Sequence, residues 1–210
     1  MENRLNAQTR NFSFLDQQKT EVSSAKRFCA YLIDWFLSSL AALLPICLLW
    51  TASGQPTETM TQATVFALAE QTSDQAALMA GCIGLVLSLA YMVLIPWKVT
   101  PGQTPGKRIM NLRIVSKDGS PLTLTQLCLR QIIGLICLEG LLYTGSSLAQ
   151  DLLSLSTGLN FTGILMYVSV IGTAISFLIA MAAGSRRMLH DYLSRTTITE
   201  AVCDRPDQQI

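Results

Sequence analysis

Long apolar runs, separated by shorter polar connections, dominate this chain. Four stretches, Phe28–Trp50, Ala76–Trp97, Leu127–Ala149 and Phe161–Ala183, are nearly free of charge and show no one-sided alternation of apolar and polar positions. Each is close to the ~20 residues that a helix needs to cross a hydrocarbon core of ~30 Å. The pattern predicts an all-α membrane protein, a four-helix transmembrane bundle. Residues 23–202 form the membrane domain, 1–22 a flexible cytoplasmic tail and 203–210 a C-terminal tail.

The period changes between the second and third runs. Ile109, Asn111, Arg113 and Val115 alternate against Met110, Leu112, Ile114 and Ser116, which predicts a strand. Asp118-Gly119 then reads as the turn of a β-hairpin and residues 121–125 as its return. The β-branched segment 196–202 is able to add a further strand. A lone hairpin is marginal in water, so this small cytoplasmic sheet is expected to lean on the membrane surface or on a neighbouring copy.

Composition agrees with a membrane protein: of 210 residues, 50% are hydrophobic and 14% charged, with a mean hydropathy of +0.39. Charge supplies direction. Lys and Arg occur up to Arg27, between Lys98 and Lys117, at Arg130 and from Arg186 onward, whereas connections 51–75 and 150–160 contain only Glu58, Glu70, Asp74 and Asp151. Basic residues are retained on the cytoplasmic side during insertion. The expectation is a multi-pass protein of the bacterial inner membrane with both termini and the central loop in the cytoplasm.

The net charge of +1, with basic residues flanking apolar runs, points to lipid head groups rather than nucleic acid. A cleaved signal peptide would have a short basic start and ~7–15 apolar residues. Here a long polar tail precedes a longer run that carries an acid, so the first run is expected to be retained.

Little here suggests catalysis. Gly102-Gln-Thr-Pro105-Gly106-Lys107 resembles a phosphate-binding loop, but has three residues between its glycines, Arg108 after the lysine and an apolar helix before it. His190 is the single histidine, and no Gly-x-Ser-x-Gly or Cys-x-x-Cys occurs. Cys29, Cys47, Cys82, Cys128 and Cys137 lie in or beside apolar runs and read as small buried hydrophobes; Cys203 lies in the tail. No catalytic residue, metal or cofactor is expected, and the polar segments are too short for an enzymatic domain.

The intramembrane charges carry the functional question. Arg27, Ala30 and Asp34 fall on one helix face, because seven residues return within about 20°, and Asp34 lies about 10 Å along the axis from Arg27. An ionised carboxylate at this depth costs a few kcal/mol, so Asp34 is expected to point into the bundle, to face a partner or to be protonated, with Arg27 and Arg130 the candidate partners. Glu139 sits nine residues beyond Arg130, about 180° around an α-helix. The two are therefore expected not to share a face, leaving Glu139 neutral, solvated in a cavity or bonded to another helix.

Arg27-Phe-Cys-Ala-Tyr-Leu-Ile-Asp34, Gly102-Gln-Thr-Pro105-Gly106-Lys107-Arg108 with Leu112-Arg113-Ile114-Val115, and Arg187-Met-Leu-His190-Asp191 with Thr196 occur in this order. Together they resemble the RDD family of integral membrane proteins. The resemblance implies that the family's arginine and two aspartates fall on Arg27, Asp34 and Asp191. Ser194-Arg195 departs from the small Ala-Gly pair usual before the threonine, which could alter the turn after Asp191.

Two functions stay open. In the first, the protein is a transporter of ions or small solutes, homo-oligomeric, with Asp34 and Glu139 as an ion or proton site and Arg27, Arg130, His190 and Asp191 as a cytoplasmic gate. In the second, it is a non-transporting scaffold or assembly factor. The same charges then clamp helices, Asp191 caps a turn or pairs with Lys107 or Arg108, and a membrane-protein partner docks. Ala77, Gly81, Gly84 and Ser88, and Ser169, Thr173, Ser176, Ala180 and Gly184, recur at helical spacing and predict close packing faces.

Overall fold

A computed structural model describes residues 22–201, and the expectations for the two tails lie outside them except at Val22, which is buried. The helices are α1 (Ser24–Ala52), α2 (Val65–Gln71), α3 (Asp74–Val99), α4 (Pro105–Ile109), α5 (Leu124–Leu138), α6 (Thr144–Thr157), α7 (Phe161–Ala182) and α8 (Leu189–Leu193). Strands β1 (Leu112–Ser116) and β2 (Thr196–Glu200) complete the order, with short 3-10 turns at Thr57–Gln62 and Gly140–Leu142.

Among the described residues, three helices are long and apolar enough to cross a membrane: α1, α3 and α7, with 29, 26 and 22 residues. The expected continuous run from Leu127 to Ala149 is not one helix. It is divided into α5 and α6, with the interruption at residues 139–143. A carboxylate at Glu139, Gly140, and the polar run Thr144-Gly-Ser-Ser147 offer the chain alternatives to continuous helix, and side chains take up the backbone groups released. Ser146 Oγ donates to the Ile136 carbonyl at 2.7 Å, and Ser39 and Thr144 hydroxyls meet at 2.6 Å.

On α1 the buried positions are Ala30, Asp34, Ser38, Ala42, Ile46 and Trp50. This every-fourth spacing winds around the helix instead of holding a fixed face, and several of the residues are small or polar. The amphipathic signal is correspondingly weak. Toward one end, Ile46, Trp50, Val65, Leu68, Ala77, Leu148 and Leu152 make the main apolar core. Ala77, Gly81, Gly84 and Ser88 are buried on α3, whereas on the α7 stripe Ser169 and Ser176 are buried and Gly184 is exposed.

At the other end, the basic segments gather. β1 pairs antiparallel with β2, Ile114 opposite Ile198, so the strand's partner is the tail and not the expected 121–125 return. Gly119 does turn the chain (φ +71°). Pro121 lacks a donor, however, and Thr123 and Gln126 form a reciprocal capping box that starts α5 instead. The strand also begins later than its alternation suggested, because Pro105–Ile109 is helical. Leu112 and Ile114 point into the bundle, against Ala30 and against Val93 and Leu127. The sheet packs on its own helices.

None of the five described cysteines is buried. Cys29, Cys82 and Cys137 are exposed and Cys47 and Cys128 half-buried, Cys128 packing against the Val93, Ile114 and Leu127 cluster, which corrects the expectation of buried thiols.

Candidate functional site

Asp34 is nearly inaccessible, at 1%, and the loop after α3 supplies its partners. Gly102 (φ +74°) turns the chain, donating to the Pro96 carbonyl at 2.7 Å and accepting from Ile114 N–H at 2.7 Å. Thr104, with extended backbone, then leads into Pro105 at the first position of α4. This places three successive donors over α1. Asp34 Oδ1 accepts from Gly106 N–H at 2.8 Å, and Oδ2 from the Thr104 hydroxyl and from Lys107 Nζ at 2.9 Å. From α3, the Tyr91 hydroxyl donates to Oδ1 at 2.9 Å.

Four donors satisfy both oxygens of the carboxylate. The approach requires glycine at position 106: a Cβ there would stand 2.4 Å from the Ala30 carbonyl oxygen and 2.8 Å from Asp34 Oδ1. Among the expected partners of Asp34, neither Arg27 nor Arg130 is the one found. The ion pair is with Lys107.

Arg27 instead reaches two backbone carbonyls, Arg186 at 2.9 Å and Ile198 at 3.2 Å. It ties α1 to the segment after α7 and to β2, and Lys26 adds an exposed pair with Glu200 at 2.6 Å.

A second cluster joins α5 to α8. Arg130 Nη1 donates to Asp191 and to Thr196 Oγ1 at 2.8 Å, and its Nη2 lies 3.0 Å from His190 Nε2. His190 Nδ1 lies 2.6 Å from Glu139 Oε2, while the His190 backbone N–H donates to Oε1 at 2.7 Å. Arginine has donors only, so Nε2 is the acceptor and the ring proton sits on Nδ1, facing Glu139. Both Glu139 oxygens accept, as in an ionised carboxylate.

Arg130 and Glu139 thus share a partner, contrary to the α-helical expectation. Leu129–Leu138 is π-helical, and Glu139 N–H reaches five residues back to Gly134 at 2.9 Å. With wider turns, nine residues make about two turns instead of two and a half. Gly134, between them, seats the histidine; a Cβ there would stand 2.4 Å from His190 Cβ. Nothing in an apolar sequence window distinguishes these two helix types.

Asp191 lies beyond the long helices. It caps its own turn, accepting from Met188 N–H at 3.1 Å, and pairs with Arg130, not with Lys107 or Arg108. Burial acts to raise its pKa; the Arg130 guanidinium, together with the Met188 amide, outweighs that and holds the carboxyl at about 2, below the ordinary 3.8. Arg187 braces the turn, donating to the Thr196 and Asp191 carbonyls, each at 3.0 Å, and stacking on Tyr192. In the Ser194-Arg195 departure, Ser194 Oγ donates to the His190 carbonyl at 2.7 Å, and Arg195 takes φ +52°.

Asp34 and Glu139 share no hydrogen-bond partner, so the two acids occupy separate clusters. Thr104, Tyr91 and Thr196 entered neither candidate site from sequence. Thr104, immediately before Pro-Gly-Lys, carried a helix-start signal and Thr196 closed the third family element; Tyr91 carried no signal for its contact.

Neither curated proteins nor solved structures give a significant match. The profile of the RDD family matches residues 22–195, most of the chain and every residue of the two clusters except Thr196. Together with three apolar helices of spanning length, this match makes the chain a membrane protein that belongs to the RDD family.

Proposed function

We propose that the protein transports ions or small solutes, coupled to protons or cations, across the bacterial inner membrane, with its basic end in the cytoplasm. The observation that carries this reading is the helix interruption at Glu139, whose carboxylate is bonded to His190. Irregular backbone at membrane depth is tolerated where protein buries it or a pathway runs, and broken helices with titratable side chains occur at transport sites. In this reading α5 and α6 together make the fourth crossing.

The roles divide between the clusters. Glu139 takes up the proton while the His190 ring orients its carboxylate, Arg130 and Asp191 hold α8 over the break, and the Asp34 cluster fixes the central loop. Four crossings enclose little space, so the protein is proposed to work as an assembly of two or more copies. The test is flux in liposomes loaded with a pH-sensitive dye under Na⁺, K⁺ and pH gradients. Wild type is expected to move protons in a cation-dependent way and Glu139→Gln to stop; a wild type silent across the panel would overturn proton-coupled cation transport.

A scaffold reading is favoured by one observation, the saturation of Asp34 by four donors. It predicts no flux, together with a large loss of melting temperature in Asp34→Asn.

A further inference from the structure

The contact between α6 and α7 is more polar than helix packing in lipid requires. Outward, α7 exposes Ile164, Tyr167, Ile171, Phe177 and Leu178. Inward, α6 presents Ser146, Gln150 and Ser154, one helical turn apart, all buried. α7 answers with Thr162, Ser169, Thr173 and Ser176 along its packed face.

These groups form a ladder. At the end away from the basic cluster, the Thr162 hydroxyl donates to Asp151 at 3.0 Å and meets Ser154 Oγ at 2.8 Å. Ser154 Oγ donates to the Gln150 carbonyl at 2.9 Å, and Gln150 Nε2 donates to both Ser146 Oγ and Ser169 Oγ at 3.2 Å. Ser146 abuts Gly140, where an added Cβ would stand 1.9 Å from its Oγ, and Gly140 follows Glu139. Ser176 Oγ accepts from Leu189 N–H at 2.9 Å, beside His190. Between Ser169 and Ser176, one turn from each, Thr173 Oγ1 is buried without a hydrogen-bond partner.

Resting on the transport reading above, we infer that this seam is the route by which a small monovalent cation reaches Glu139 from the end opposite the basic cluster. The sign follows from its lining: hydroxyl, amide and carbonyl oxygens, an acid at each end, and none of the described Lys or Arg residues along it. Oxygen donors suit hard cations, and opposed acids concentrate them. A bare proton wire does not fit, because the Gln150 amide nitrogen donates in both directions and has no lone pair with which to pass a proton on. Thr173, half-buried on α7 between Ser169 and Ser176, supplies an oxygen without a protein hydrogen-bond partner.

The test is cysteine accessibility in the reconstituted full-length protein with its six native cysteines replaced. Thr173→Cys is treated with a cationic and an anionic methanethiosulfonate of similar size, and Ser169→Cys serves if the first variant does not fold. The cationic reagent is expected to label about tenfold or more faster than the anionic one, and Na⁺ or K⁺ to slow it. A thiol sealed to both reagents, or labelled equally by both, overturns the route. This result is separable from failure of the transport reading: flux in wild type with a sealed Thr173→Cys would remove the seam alone, whereas a silent wild type removes transport.

Discussion

His190 lies between Glu139 and Arg130, its Nδ1 2.6 Å from one and its Nε2 3.0 Å from the other. A protonated ring would carry a hydrogen on Nε2 facing a guanidinium that can only donate. In the proposed transport, a proton arriving at this cluster goes to Glu139 or displaces Arg130, and either event would change how α8 is held against the break.

The Arg130–Asp191 pair is buried, with side chains 4% and 2% exposed. Asp191→Leu alone or Arg130→Met alone should each cost about 3–5 kcal/mol, because a charge is left without its partner, while the double variant costs less than the sum. A denaturation cycle in detergent checks this; additive losses would show that the two residues do not act as a pair.

Acid should expose the same pair. The Asp191 carboxyl is held at about 2 against an ordinary 3.8, so the unfolded chain takes up the proton first. The resulting stabilisation is full above about pH 4 and lost as pH falls through about 2. Melting temperatures between about pH 6 and about pH 2 should decline in that window for wild type, and this component should be missing in Asp191→Asn.

Gly106→Ala should detach the central loop. Its added carbon overlaps the Ala30 carbonyl oxygen and Asp34, a backbone contact with little freedom to yield, at a cost of about 1–3 kcal/mol. Limited trypsin digestion at Arg113 and Lys117 reads the outcome; cleavage at the wild-type rate would mean that the Asp34 cluster does not hold the loop.

Arg195 holds a left-handed backbone at φ +52°, a conformation that costs a side-chain-bearing residue about 1–2 kcal/mol. Arg195→Gly removes that strain and gives back some chain entropy. A modest rise in melting temperature is the expected outcome, and a fall would assign the Arg195 side chain a contact of its own.

Much of the helical frame was legible because length and charge dominate insertion. Runs expected at 28–50, 76–97 and 161–183 became helices within a few residues of those bounds. The break at Glu139 was not legible in the same way, since Leu141 and Leu142 keep an averaging window apolar across it; Glu139-Gly140 and Thr144-Gly-Ser-Ser147 were the available signals. The π-helical stretch of α5 rotated Glu139 toward Arg130, a change of about half a turn that an α-helical wheel cannot show. Lys107 lies 73 residues from Asp34, and only the folding of the central loop onto α1 brings them together. The β-branched tail did advertise β2, but its competitor, the 121–125 return, was removed by a capping box whose strength is clear only once α5 has formed.

The most direct measurement is proton flux through wild type and Glu139→Gln in the same liposome preparation, each checked for monodispersity before reconstitution. Cation-dependent flux in wild type, abolished in a folded Glu139→Gln, is the predicted result. Equal flux in the two proteins would contradict the role given to Glu139 and His190.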